Sequence, residues 1–149
     1  MLNKIKAFFH ERIEHGSEQD DSLGINLAAA ALLIEVLKAD FQPDPREERA
    51  IKQALHTHLN IGEEEIDELF LLAAEEAESA TSLFQFTRLV NEQYEPQQKY
   101  RLICAMWQVA YADQVLDAHE QHLIRQIADL IHVSHQDFIR AKQEMRPDL

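Results

Sequence analysis

The chain has little of what disulfide-stapled, β-rich and membrane-spanning proteins rely on. Its 149 residues include one cysteine, Cys104. A lone thiol closes no intrachain bridge, so stability must come from a buried core, and the composition suits a reducing compartment such as the cytoplasm. Three glycines and four prolines are too few to turn a many-stranded sheet. No segment alternates apolar and polar residues with β-branched side chains, so no strands are expected. The longest apolar run, Leu27–Ile34, ends at Glu35, far short of the roughly 20 residues that a bilayer-crossing helix requires. Charges at Lys4, Lys6, Glu11 and Arg12 also arrive too early for the apolar stretch of a signal peptide. Basic residues are scarce: 14 Lys and Arg face 27 Asp and Glu, for a net charge of −13. Nucleic acid and anionic bilayers would be repelled, so neither a nucleic-acid partner nor direct membrane insertion is expected.

What remains is a helical pattern. The chain is 46% hydrophobic, and its length is that of one domain able to bury a sizeable core. Residues 1–15 form an amphipathic helix with Leu2, Ile5, Phe8, Phe9 and Ile13 on one face, closed by Gly16, with 17–21 as a polar connection. Ser22 is placed to cap a helix over 23–39 that is apolar nearly all round and therefore belongs in the middle of a bundle. Pro43 and Pro45 stop it, and Asp44-Pro45-Arg46-Glu47 begins a helix reaching His58. Ile61-Gly62 breaks the chain again. Helices follow over 63–78, 82–93, 96–112, about 118–131 and from 135 onward, the last capped by Ser134. Ile61 with Ile66, and Val133 with Phe138, are placed as hydrophobic staples. Leu83, Phe84, Phe86, Leu89 and Val90 supply the apolar residues of 82–93, while Tyr100, Ile103, Trp107 and Tyr111 mark the buried stripe of 96–112. The tail from Arg146 is expected to fray. The expected fold is all-α: a single compact bundle of seven to eight helices across 1–149, with an N-terminal helix and connection (1–20) and two repeats (22–80 and 96–145).

The repeats rest on a duplicated acidic pattern, Asp-x3-Asp-x2-Glu. Its copies are Asp40, Asp44, Glu47 and Asp113, Asp117, Glu120. With residues 36–51 laid on 109–124, identities fall at Val36/Val109, Ala39/Ala112, Asp40/Asp113, Asp44/Asp117, Glu47/Glu120 and Ile51/Ile124. About one would be expected by chance, so the chain reads as a duplicated helix–acidic loop–helix unit. Helix capping accounts for Asp44, Glu47, Asp117 and Glu120, each pair placed as an N-cap with an N3 glutamate. Asp40 and Asp113 instead end apolar helices, where the helix dipole disfavours a negative charge. A backbone N–H, an arginine such as Arg46 or Arg49, or a metal ion would compensate it. Three carboxylates converging on one loop suit a hard divalent cation, Ca2+, Mg2+ or Mn2+. The spacing is not that of a twelve-residue EF-hand loop.

The stretches Leu33–Asp40 through Glu47 and Met106–Asp113 through Glu120 resemble the tellurite-resistance TerB-like family, over about residues 22–145. A similar domain lies at the N-terminal side of the membrane-anchored DnaJ-type co-chaperone. The resemblance implies one all-helical domain with internal pseudo-symmetry, divalent ions held by these acids, and work in stress-response assemblies near the membrane. The family commonly has glycine after the first aspartate of the motif, where this chain has Phe41 and Gln114.

Other constellations carry less. His119 and His122 flank Glu120 at helical spacing, but no HExxH or Cys–His set accompanies them. Asp129 and His132 lack the further glutamates of a di-iron bundle. Asp21-Ser22-Leu23 resembles a phosphopantetheine attachment site in three residues only, and an N-cap explains Ser22. His10, His15, His56, His58 and His135 read as surface residues. Cys104 reads as buried and inert, and Trp107 as a core anchor. No nucleophile with its base, and no phosphate-cradling loop, is present. Between Glu63 and Glu78 lie eight acids and no Lys or Arg. This is a solvated helix face or, on the sharper reading, a docking surface over 63–78 for a basic protein partner or for cations. The expected function is a non-enzymatic, cytoplasmic helical domain of the stress-response type that binds a divalent cation, a protein partner, or both. The alternative is a pure interaction module whose repeated acids are only helix caps.

Overall fold

A helix apolar on every side must be surrounded, and this one is. In the computed structural model, which describes residues 18–37, 45–79, 82–112 and 117–147, α1 spans Glu18–Leu37 and is followed by α2 (Pro45–Leu59), α3 (Glu63–Ser79), α4 (Phe84–Gln93), α5 (Pro96–Ala110), α6 (Ala118–Leu130) and α7 (His135–Met145). Among the described residues there are no strands. Leu27, Ala28–Ala31, Leu32, Leu33 and Val36 are completely buried, because α2, α3, α4, α5 and α6 all pack around α1. The alanines let neighbouring helices approach closely, and the flanking leucines fill the spaces between them. The second inner helix is α5, where Leu102–Trp107 are buried without interruption between α2, α7, α1 and α6. No helix among the described residues is long and apolar enough to cross a membrane.

Exchanging α1, α2, α3 with α5, α6, α7 leaves the main packed pairs unchanged: α1·α3 maps on α5·α7, α1·α2 on α5·α6, α2·α3 on α6·α7, and α2·α5 on α1·α6. Of the described helices, α4, packed on α1, stands outside the exchange. Burial repeats residue by residue. Glu47, Ile51, Ala54, Leu55 and His58 are buried along α2, and Glu120, Ile124, Ile127, Ala128 and Ile131 are buried at the corresponding places of α6 and its end. Both helices also finish on a non-glycine residue in the left-handed region, Asn60 at φ 57° and His132 at φ 65°. Asn and His tolerate this region better than most side chains. The Ala128 carbonyl accepts Val133 N–H at 2.8 Å, which satisfies one of the last carbonyls of α6.

Local details depart from the sequence reading in three places. Ser22 is not an N-cap: α1 starts at Glu18, so Ser22 lies inside it. Phe84 is 69% exposed, since it lies two positions, about 200° of helical rotation, from the buried Phe86, Leu89 and Val90 face. Tyr100 and Tyr111 are half-buried, so the fully buried stripe of α5 is carried by Ile103 and Trp107. The expected helix over 1–15 lies outside the described residues, as do Asp148 and Leu149 of the tail.

The α5–α7 seam is aromatic and charged. Trp107 packs against Phe138 at 5.2 Å between ring centroids, and Lys142 Nζ stands 5.4 Å from the Trp107 ring. Tyr100 O–H donates to Glu144, while the Arg140 guanidinium lies 4.3 Å over the Tyr100 ring. Burial pushes the Cys104 thiol up to about 11, which leaves it protonated and unreactive. At Ser134 the expected cap is present: its Oγ accepts Asp137 N–H at 3.1 Å.

Leu33→Ala should destabilise the chain by about 2–5 kcal/mol, because it opens a void at the centre. Leu71→Ala, at a side chain 65% exposed, should stay within about 0.5 kcal/mol. Urea denaturation of the two variants checks the difference. Equal effects would contradict the central placement of α1.

Candidate functional site

The acids repeated in sequence sit at matching points of the fold. Glu47 is the third residue of α2 and Glu120 the third of α6, and both are buried, at 9% and 2% exposure. Burying a carboxylate costs several kcal/mol unless hydrogen bonds or positive charge face it. A helix N-terminus contributes about 0.3–1 kcal/mol, and up to about 2 kcal/mol in partly buried geometry. The helix ends therefore offset only part of the cost, and further donors or positive charge must serve each carboxylate. Asp117, at the entrance to α6, accepts His119 N–H on Oδ1 at 3.0 Å, the N-cap role read from its position. Asp40, Asp44 and Asp113 lie outside the described residues. Among the described residues, no three His, Cys, Asp or Glu side chains come together as a metal-holding group. All six candidate ligands are carboxylates, the chemistry of a hard-cation site rather than of zinc or copper.

The acidic helix α3 divides into two faces. Glu63, Glu64, Glu65, Asp67, Glu68 and Glu78 are exposed, with Asp67 held at 2.9 Å by Lys52 of α2. Glu76 departs from the expected solvated run: it is 4% exposed and accepts a hydrogen bond from Gln85 Nε2 at 2.9 Å. The reason is periodicity, since Glu76 follows Leu69 and Ala73 down the inward stripe of the helix.

His58 is also a correction. Expected at the surface, it is buried at 7% exposure, because it continues the Ile51–Leu55 stripe of α2 toward α5. Its Nε2–H donates to Gln108 Oε1 at 2.7 Å, which selects the tautomer with an unprotonated Nδ1. Desolvation holds its pKa below the ordinary 6.5, the Gln108 hydrogen bond opposing and Arg101 adding to the depression. The signal was present in sequence: His58 stands where the second unit has Ile131. His56, by contrast, is exposed as expected, its Nδ1 paired with the Ile61 carbonyl at 3.0 Å.

The unfolded chain binds a proton at His58 near the ordinary pKa, whereas the folded chain resists it until lower pH. Stability from neutral burial is therefore complete above that range and is lost as pH falls. Melting followed from about pH 7.5 to about pH 5.5 should show a smaller fall for His58→Ile than for the parent. Parallel pH profiles would show that the imidazole carries no such linkage.

The chain matches no curated protein and no solved structure. A family model, that of tellurite resistance protein TerB, matches residues 26–143, from within α1 to within α7 and across both acidic segments. With most of its length so matched, the chain belongs to the tellurite resistance protein TerB family.

Proposed function

We propose that this chain is a non-enzymatic, cytoplasmic stress-response domain in which two copies of a helix–acidic loop–helix unit bind a divalent cation and engage a protein partner. The observation that carries the reading is the burial of Glu47 and Glu120 at the same position of α2 and α6. Each acid stands at a helix N-terminus directly after the loop that contributes two aspartates in sequence, Asp40 and Asp44 or Asp113 and Asp117. Such an arrangement offers a hard cation an all-oxygen set. The domain then acts as a cation-responsive element, since an ion bound only by the folded state tightens the entry of α2 and α6 onto the inner helices α5 and α1.

One observation favours a second reading. Asp117 already works as a helix cap through His119 N–H, so the repeated acids can serve structure alone. The chain is then a pure interaction module, with the exposed acids Glu64, Glu65 and Glu68 of α3 meeting a basic partner.

Thermal melting at matched ionic strength separates the two. Free Ca2+, Mg2+ or Mn2+ at about 100 times the dissociation constant should add about 2.7 kcal/mol by linkage. Asp40→Asn with Asp113→Asn, and separately Glu47→Gln with Glu120→Gln, should abolish that response, while Glu64→Gln with Glu65→Gln leaves it. A parent that does not respond, or an aspartate double variant that responds like the parent, sinks the cation reading. On the second reading, replacing Glu64, Glu65 and Glu68 by glutamine should weaken pull-down of a basic partner from cells, with melting nearly unchanged.

A further inference from the structure

A polar groove of about 740 Å³ opens where the C-terminal end of α2 and the Tyr94–Glu95 connection meet the first turns of α5, with part of α1 alongside. Its size is that of a small-ligand site, and among the described residues its lining includes none of Glu47, Asp117 and Glu120. The lining is unusual for this strongly acidic chain. Among the described residues it carries one carboxylate, Glu95, one guanidinium, Arg101, and four carboxamides, those of Asn26, Asn60, Gln97 and Gln98. Tyr94 also lines the groove, and burial pushes its phenol up to about 12, so it stays neutral. His58, 93% buried by its 7% exposure, lines it too. With Nε2 committed to Gln108, its Nδ1 has no hydrogen-bond partner among the described residues. A buried acceptor left in that condition costs about 1–3 kcal/mol, which a ligand N–H would relieve after a small adjustment of the ring.

We propose that this groove binds a short free peptide of two or three residues, its amino terminus at Glu95 and its carboxylate at Arg101. Three features select that class. Carboxamides donate and accept together, matching the N–H and C=O groups of an extended backbone. Gln98 Oε1 accepts Glu95 N–H at 2.8 Å, which presets that side chain and leaves its amide hydrogens for a ligand carbonyl. Glu95 caps α5 and Arg101 lies six residues on, so their backbone positions are offset by about 9 Å along the helix axis at 1.5 Å per residue. The termini of an extended chain of two or three residues are about 7–10 Å apart. A peptide of that length spans this axial offset from end to end. Arg101, which also donates to the Thr57 carbonyl at 3.4 Å, keeps further N–H groups for a bidentate carboxylate contact.

The site does not depend on the cation reading, and the test keeps the two apart by working in EDTA. The ¹⁵N-labelled full chain is titrated with trialanine, N-acetyl-trialanine, trialanine amide and alanine. Trialanine should give saturable shifts centred on the side-chain amides of Asn26, Asn60, Gln97 and Gln98, and on the His58 ring. Either blocked peptide and free alanine should bind at least tenfold more weakly. Glu95→Gln should erase the preference for a free amine, and Arg101→Gln the preference for a free carboxylate. Each variant is checked by its melting curve. His58→Ile, which installs the residue found at the corresponding position 131, should keep the fold and weaken trialanine binding. No saturable shift by about 10 mM trialanine, weaker than the millimolar affinities worth about 4 kcal/mol, overturns the proposal. So does equal binding of free and blocked peptides, or unchanged trialanine affinity in both charge variants.

Discussion

The architecture depends on a helix that has no side fit for water. From Leu27 to Leu33 every residue of α1 is fully buried, and a helix of that composition is stable only when neighbours cover its whole circumference. Five other helices do so. The alanines decide how closely they approach, and the size of each neighbour's inward stripe then follows from packing at crystal-like density. The same requirement governs α5, which differs in carrying Trp107 and Cys104 where α1 carries the smaller Ile34 and Ala31. The larger ring of Trp107 packs against Phe138 of α7, with the Lys142 ammonium over it. Two inner helices with unequal side chains therefore organise two outer sets with the same pairings.

Equivalence in packing makes the polar differences informative. Glu47 and Glu120 share a burial state that composition disfavours, and they share it at the same turn of α2 and α6. His58 breaks the pattern. Where α6 is followed by the apolar Ile131, α2 has an imidazole whose hydrogen bond reaches Gln108 on α5. A buried polar pair between an outer and an inner helix fixes their register, because sliding either helix would strand both groups.

Charge is distributed with the same economy. The exposed acids of α3 face solvent with Lys52 as a local counterion, whereas cations gather along α5 and α7, at Arg101, Arg140 and Lys142. These basic side chains do not sit at random. Arg140 lies on Tyr100 and Lys142 on Trp107, so the charges that offset the acidic balance also seal the aromatic seam.

Much of this was readable from the chain itself. The helix count over residues 45–145, the caps at Asp117 and Ser134, the burial of Cys104 and Trp107, and the inner position of Leu27–Ile34 follow from period, cap chemistry and the scarcity of glycine. These are local effects, set within a turn or two of helix. Even the burial of Glu76 and His58 was present as periodicity, hidden because residue type outweighed position. What no local rule supplied was which outer helix lies on which inner one, and so which polar groups meet. Gln108 faces His58 across fifty residues of chain, and Asn91 Nδ2 reaches the Leu130 carbonyl across 39. Such pairings arise from the collective fit of all the helices around α1 and α5. That fit is a property of the assembled volume, which no single segment of the sequence encodes.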